Sequence, residues 1–222
     1  MAKKKLIHFQ ENLTFPHLFQ PHYHEIQSGF HLKSNWNVKF FMNRNPIIVE
    51  LGCGKGEYTV GLAERHPEKN FIGIDIKGAR LWRGCKSVDE LGLKNAAFVR
   101  TRVDFLTKLF GPHEISEIWI TFPDPQPGKE RKRLTAPVFL NIYKMILVKD
   151  GIIHLKTDNQ FFFDYTFQVI KEWKHRLLYI THDLYHSGSD EDAVRIQTFY
   201  ENIWLKEGKR IYYLKFSLNT DL

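Results

Sequence analysis

The chain has 222 residues, 43% hydrophobic and 14% aromatic, enough to bury one substantial core. Its formal charge of +7 favours a polyanionic partner, because basic side chains that neutralise phosphates release counterions. Two cysteines exclude a disulfide framework and a cysteine-built metal cluster, and the lack of any run of 18 apolar residues excludes a helical membrane span. These features fit a protein of the reducing cytoplasm that needs no metal.

Residues 1–35 show no clear periodicity and read as a basic, His-rich N-terminal extension, in part disordered. Met1–Lys5 is basic, but the apolar stretch behind it is broken by His8 and Gln10, so no signal peptide is expected. His22 and His24 lack a cysteine or acid pair at ligand spacing, and they read, with His8, His17 and His31, as solvated or packed.

From Trp36 onward strands and helices alternate. Strand 46–51 leads to a helix over 57–65, stopped by Pro67, and strand 70–75 to a helix over 78–91, ended by Gly92. Strands follow at 96–101 and 116–122. Helix 136–148, strand 152–156 and helix 160–174 come next, and β-rich segments at 176–183 and 210–217 close the chain. This alternation predicts a doubly wound, mainly parallel sheet over residues 36–222. Residues 185–200 are polar and turn-rich and read as a mobile loop.

Two stretches carry the chemistry of the first half. Ile47-Ile48-Val49-Glu50-Leu51 runs into Gly52-Cys53-Gly54-Lys55-Gly56, and Phe71-Ile72-Gly73-Ile74 ends in Asp75. In an open parallel sheet ligands sit beyond the carboxyl ends of the strands, so topology brings Glu50, Gly52, Gly54, Gly56 and Asp75 together. A dinucleotide pyrophosphate wants G-x-G-x-x-G at a helix N-terminus, yet the sixth position here is Glu57. Glu50 puts another acid on the rim. Two carboxylates repel a pyrophosphate but suit S-adenosylmethionine, which carries an ammonium and a sulfonium and no phosphate. The glycine hollow reads as a methyl-donor site.

Strand 116–122 ends in Thr121-Phe122-Pro123-Asp124-Pro125-Gln126-Pro127, where three prolines stiffen the turn and hold Asp124 over the same crevice. The run Lys129-Glu130-Arg131-Lys132-Arg133 follows, and beside a methyl-donor pocket it reads as a phosphate clamp, joined by Lys3–Lys5.

Taken with Val49-Glu50-Leu51-Gly52-x-Gly54-x-Gly56 and Gly73-Ile74-Asp75, the motifs Phe122-Pro123-Asp124-Pro125, Lys156-Thr157-Asp158-Asn159 and Thr198-Phe199-Tyr200-Glu201 resemble the bacterial tRNA (guanine-N7-)-methyltransferases. The resemblance covers about residues 44–217. It implies a class I, Rossmann-like α/β fold of seven strands, mainly parallel with the last antiparallel, and helices on both faces. It implies methyl transfer from S-adenosylmethionine, leaving S-adenosylhomocysteine, to a guanine N7 in tRNA, at variable-loop position 46, by a cytoplasmic monomer or homodimer. It further implies Glu50, Asp75 and Asp124 on the cofactor side, and Asp158 and Thr198 to Glu201, including Phe199 and Tyr200, on the tRNA side. Where the family has a cofactor-contacting acid after the third strand, this chain has Arg102, with Asp104 two residues on. Gln126 replaces the family's tryptophan and the basic run is shorter, leaving Lys129 as the substrate-contacting lysine.

The residue chemistry agrees. Guanine N7 carries an in-plane lone pair and no proton near neutrality, so the site must supply alignment and not a general base. The product base is cationic, and Asp124 is the residue expected to stabilise the developing charge. Asp158 and Glu201 are expected to accept hydrogen bonds from the guanine edge, the lesser alternative for Asp158 being the N-cap of the helix opening at Gln160. The rival readings are a methyltransferase acting on another nucleobase in RNA, a catalytically silent RNA-binding relative, and a nicotinamide dehydrogenase.

Overall fold

The computed structural model describes residues 2–189 and 191–219, with side chains from Leu6 onward. The side chains of Lys3–Lys5, and all of Asp190, lie outside the described set. Eight strands form one sheet: β1 (Leu18–Phe19), β2 (Ile47–Leu51), β3 (Asn70–Asp75), β4 (Ala96–Arg100), β5 (Ile115–Thr121), β6 (Leu147–Thr157), β7 (Arg176–Thr181) and β8 (Tyr212–Ser217). Their order is β1-β4-β3-β2-β5-β6-β8-β7, parallel throughout except for β8, which runs antiparallel to both β6 and β7.

The helices are α1 (Ala2–Glu11), α2 (Tyr23–Ser28), α3 (Glu57–Arg65), α4 (Gly78–Leu91), α5 (Leu106–Leu109), α6 (Pro137–Ile146), α7 (Gln160–Glu172), α8 (Asp192–Arg195) and α9 (Phe199–Lys206). Local chemistry explains their ends. Pro67 follows the C-terminus of α3, Gly92 closes α4 in the left-handed region at φ 65°, and Pro137 opens α6 at its first turn.

All five residues of β2 are buried, as a central parallel strand covered on both faces requires. The chain winds outward from β2 through β3 to β4, then crosses back to place β5 on the other side of β2. The strand order therefore reverses between β2 and β5, where a doubly wound sheet opens its crevice.

Three segments differ from expectation. Residues 2–35 are built into the fold. β1 extends the sheet beside β4, α1 packs on α4, and Phe30 and Leu32 join the core around Trp36, whose indole N–H donates to the Leu109 carbonyl at 3.0 Å. Strand β6 begins at Leu147, five residues before its expected start. Leu147 pairs with Ile115 across a register shift, and Asp150 takes up the irregularity at φ 60°. The polar stretch 185–200 is expected as a loop, yet it contains α8 and the start of α9. Ala193 and Ile196 are buried, and Asp192 is held by Arg65 Nε at 2.9 Å and His66 Nε2 at 2.7 Å.

Candidate active site

At the carboxyl ends of β2 and β5 lies a cavity of about 290 Å³. It is lined by Glu50, by the turn Gly52–Lys55 with Glu57, Tyr58 and Arg80, and by Thr121, Phe122, Thr198, Tyr200 and Trp204. Gly52 adopts φ 73°, and a side chain there would project into open space, so bare backbone faces the hollow. Gly56 serves packing instead. A Cβ at that position would stand 2.6 Å from the Phe98 ring, and Gly73 and Gly84 press on the same ring.

The turn is tied to β3. The amides of Gly52 and Cys53 donate to the Ile74 carbonyl at 2.8 and 3.0 Å, the Gly54 amide to Asp75 Oδ2 at 2.9 Å, and the Gly56 amide to the Cys53 carbonyl at 2.8 Å. Asp75 is braced on its other side by the Lys77 amide at 2.7 Å. Four of the five amides in the glycine turn are therefore spent within the protein. An anion cradle needs those amides free.

Glu50 corrects one expectation. Topology puts it at the strand end, but it is buried at 4% exposure and is not an open rim acid. Oε2 accepts from the Thr59 amide at 2.8 Å and from the Thr59 hydroxyl, and Oε1 accepts from Thr121 Oγ1 at 2.6 Å. Burial pushes its pKa up to about 7 against the pull of these three hydrogen bonds, with the nearby Asp75 charge adding to the rise.

The sign of the linkage follows. With a folded value above the ordinary 4.5, the native state holds an extra proton between about pH 4.5 and 7. This contribution to stability is full below pH 4.5 and is lost as pH rises to about 7. Urea titrations at pH 5 and pH 7 are expected to show wild type losing about 2 kcal/mol relative to Glu50→Gln. An equal difference at both pH values would place the titration elsewhere.

Phe122 ends β5 in the left-handed region at φ 48°, an uncommon conformation for a bulky residue. Its amide donates to the Lys156 carbonyl at 2.8 Å, and its ring packs against Trp204 with centroids 5.0 Å apart. Asp124, two residues on, is exposed and lies outside the cavity lining; its Oδ1 accepts from the Gln126 amide at 3.1 Å. Lys129, Arg131 and Lys132 are exposed, but Arg133 is not available to a clamp. It is 6% exposed, donates to the Pro125 carbonyl at 3.3 Å and stacks over the Tyr165 ring at 4.2 Å.

The structure separates the remaining predicted residues. Asn159, not Asp158, caps α7, accepting from the Phe162 amide at 2.9 Å. Asp158 is half-buried, and burial raises its pKa. Asp104 is exposed on a short turn and paired with Arg102 at 3.1 Å, away from the cavity lining.

Thr198 lines the cavity and caps α9, its hydroxyl accepting from the Glu201 amide at 3.2 Å. Phe199 and Tyr200 are exposed beside the Lys55 ammonium, 4.9 and 5.8 Å from their ring centres.

Glu201 is wholly buried, so accepting hydrogen bonds from a base edge gives way to a structural task. Its carboxylate takes Lys156 Nζ and the Tyr185 hydroxyl, each at 2.6 Å, and the Thr198 amide at 3.1 Å. Lys156 is equally buried, and its ammonium also donates to the carbonyls of Ala193 and Ile196 at 2.5 and 3.0 Å. Burial draws its pKa down to about 8, against the pull of Glu201.

Sequence reasoning did not single out Tyr58, Arg80, Phe122 or Trp204 as lining the cavity. It also passed over a local signal for Glu201. Thr198-x-x-Glu201 is a capping box, which announces a helix start and a carboxylate turned back on its own backbone.

Among the described residues no helix is long and apolar enough to cross a membrane, and no group of three or more His, Cys, Asp or Glu is placed to hold a metal ion. Residues 44–214 match the family model described as "Putative methyltransferase". A tRNA (guanine-N(7)-)-methyltransferase of Christiangramia forsetii is 50% identical over 98% of this chain and 99% of its own. One of Bacteroides fragilis is 48% identical over 98% of this chain and 87% of its own. Among solved structures, a 30S ribosomal A1408 methyltransferase from an uncultured bacterium aligns with a TM-score of 0.61 at 18% identity, over 84% of this chain and 94% of that one; at that identity it shows the fold alone. Near full-length identity of this order, over a site set at the sheet's switch point, establishes that the chain belongs to the tRNA (guanine-N7-)-methyltransferase family.

Proposed function

We propose that this protein transfers a methyl group from S-adenosylmethionine to N7 of a guanine in tRNA, at position 46 of the variable loop as the family resemblance implies. The observation that carries the cofactor assignment is the spent glycine turn. With the amides of Gly52, Cys53, Gly54 and Gly56 already bonded, the hollow offers little to a pyrophosphate, while the acid beneath it suits a cation. Gly52 and Gly54 shape the hollow, Gly56 packs the turn on Phe98, Glu50 ties Thr59 and Thr121 together beneath it, and Asp75 retains acceptor capacity for a ribose diol. Bound there, S-adenosylmethionine supplies an electrophilic methyl group on sulfur.

The chain's own residues then have a task of placement. Thr121 at the end of β5 and Phe122 just beyond it line the same cavity as the glycine turn, so a base seated beside Phe122 and Trp204 is brought to that turn. Asp124 on the proline-stiffened turn and Asp158 beyond β6 are the carboxylates assigned to the base that becomes cationic; neither belongs to the cavity lining itself. Thr198 and Tyr200 line the cavity and Phe199 stands beside them. Asp104 remains a more distant acid toward the cofactor, and Lys129 lends charge for the RNA backbone. The tRNA is the partner, the cytoplasm is where the reaction runs, and no metal takes part.

The test supplies an unmodified tRNA transcript and a methyl-labelled donor, then cleaves the product chemically at 7-methylguanosine. One cleavage in the variable loop is expected. Label recovered in another nucleoside, or no transfer at all, overturns the reading.

A further inference from the structure

Methylation of guanine N7 leaves a positive charge on the imidazole ring of the base, so an electron-rich surface against that ring adds to the stabilisation assigned to the Asp124 carboxylate. The charged groups lining the cavity are two cations and two carboxylates that already have partners within the protein. Lys55 and Arg80 are cations. Glu50 is held by Thr59 and Thr121, and Glu57 Oε1 accepts from the Phe199 amide at 3.2 Å. Asp124 lies outside the lining.

Aromatic side chains also line the hollow. Phe122 and Tyr200 flank the half-buried Trp204, with centroids 5.0 and 6.2 Å from its own. Lys209 Nζ stands 5.8 Å from the Trp204 ring centre, the same distance as Lys55 Nζ from that of Tyr200, so the choice between the two rings rests on their chemistry. Indole is the ring that attracts a cation most strongly.

We propose that the Trp204 indole, steadied by Phe122 and Tyr200, is the surface on which the reacting guanine rests, and that it stabilises the charge created at N7 more strongly than it holds the neutral base. This rests on the guanine-N7 reading above. The indole then accelerates the chemical step while contributing little to tRNA affinity, because only the charged form gains from the ring's quadrupole.

The experiment first maps the wild-type product, so that failure of the guanine-N7 reading is seen by itself. It then measures single-turnover methyl transfer and tRNA affinity for Trp204→Phe, Trp204→Leu and a series with mono-, di- and trifluorinated tryptophan placed at position 204. Fluorination keeps the ring's shape while draining its face of electron density. The transfer rate is expected to fall about tenfold or more in Trp204→Leu and less in Trp204→Phe. Across the fluorinated series its logarithm is expected to fall steadily while tRNA affinity stays within about twofold. A flat rate across that series, or a loss confined to affinity, overturns the proposal even if the leucine variant fails to fold.

Discussion

Glu201→Leu alone is expected to lower stability by about 3–5 kcal/mol, and adding Lys156→Met is expected to restore a substantial part of the loss. Both partners are wholly buried at 2.6 Å, so removing one strands the other's charge in a medium that solvates it poorly. The Lys156 ammonium has a partial escape, since burial already draws its pKa to about 8 and deprotonation relieves the strain. Removing both charges together ends that penalty.

Recovery stays incomplete for a reason the geometry supplies. The carbonyls of Ala193 and Ile196 lose their donor with Lys156, and each buried acceptor left unpaired costs about 1–3 kcal/mol. Urea midpoints at constant slope measure the cycle. A double variant as unstable as the sum of the two singles would show that Lys156 and Glu201 act separately.

Asp124→Asn is expected to cut turnover about a hundredfold, the scale on which a single electrostatic contact to a transition state is lost. The substitution isolates charge. An asparagine keeps the Oδ1 acceptor for the Gln126 amide, so the proline-stiffened turn keeps its hydrogen bond. Because Asp124 is exposed, stability is expected to move by less than about 1 kcal/mol. The loss is expected in kcat more than in KM, since a base gains its charge only as the methyl arrives. Near-normal kcat would show that this carboxylate does not meet the reacting base.

The parts of the fold legible in the sequence were those with local causes. The apolar runs of β2 and β3, the glycine turn between them, and Pro67 and Gly92 as helix ends each declare themselves within a few residues. β1 did not, because two residues leave no alternation to read and only their pairing with Phe98 and Val99 makes them a strand. The α8–α9 segment looked like a loop for a similar reason. Its helices are short, and what holds them comes from elsewhere: Arg65, His66 and Lys156.

The site was legible in outline and misread in depth. Topology correctly put Glu50 at the end of β2, but its partners Thr59 and Thr121 come from other elements, and together they draw it under the surface. Glu201 had the opposite fault, a local signal overlooked. Phe122 illustrates what no pattern carries, since its left-handed backbone follows from the sharp exit of β5 and is seen only once the neighbouring chain is in place.

The single phenyl ring of Phe98, wedged against Gly56, Gly73 and Gly84, ties four positions from four different elements into one unit of inheritance. None of the three small residues has room to grow while that ring remains, and Gly73 is further confined by the Thr59 hydroxyl 2.8 Å from where its side chain would begin. Shrinking Phe98 would not by itself release them, because the Lys55 carbonyl stands 2.9 Å from a Cβ at position 84 and Gly56 keeps φ 71°, so backbone as well as ring holds these positions to glycine.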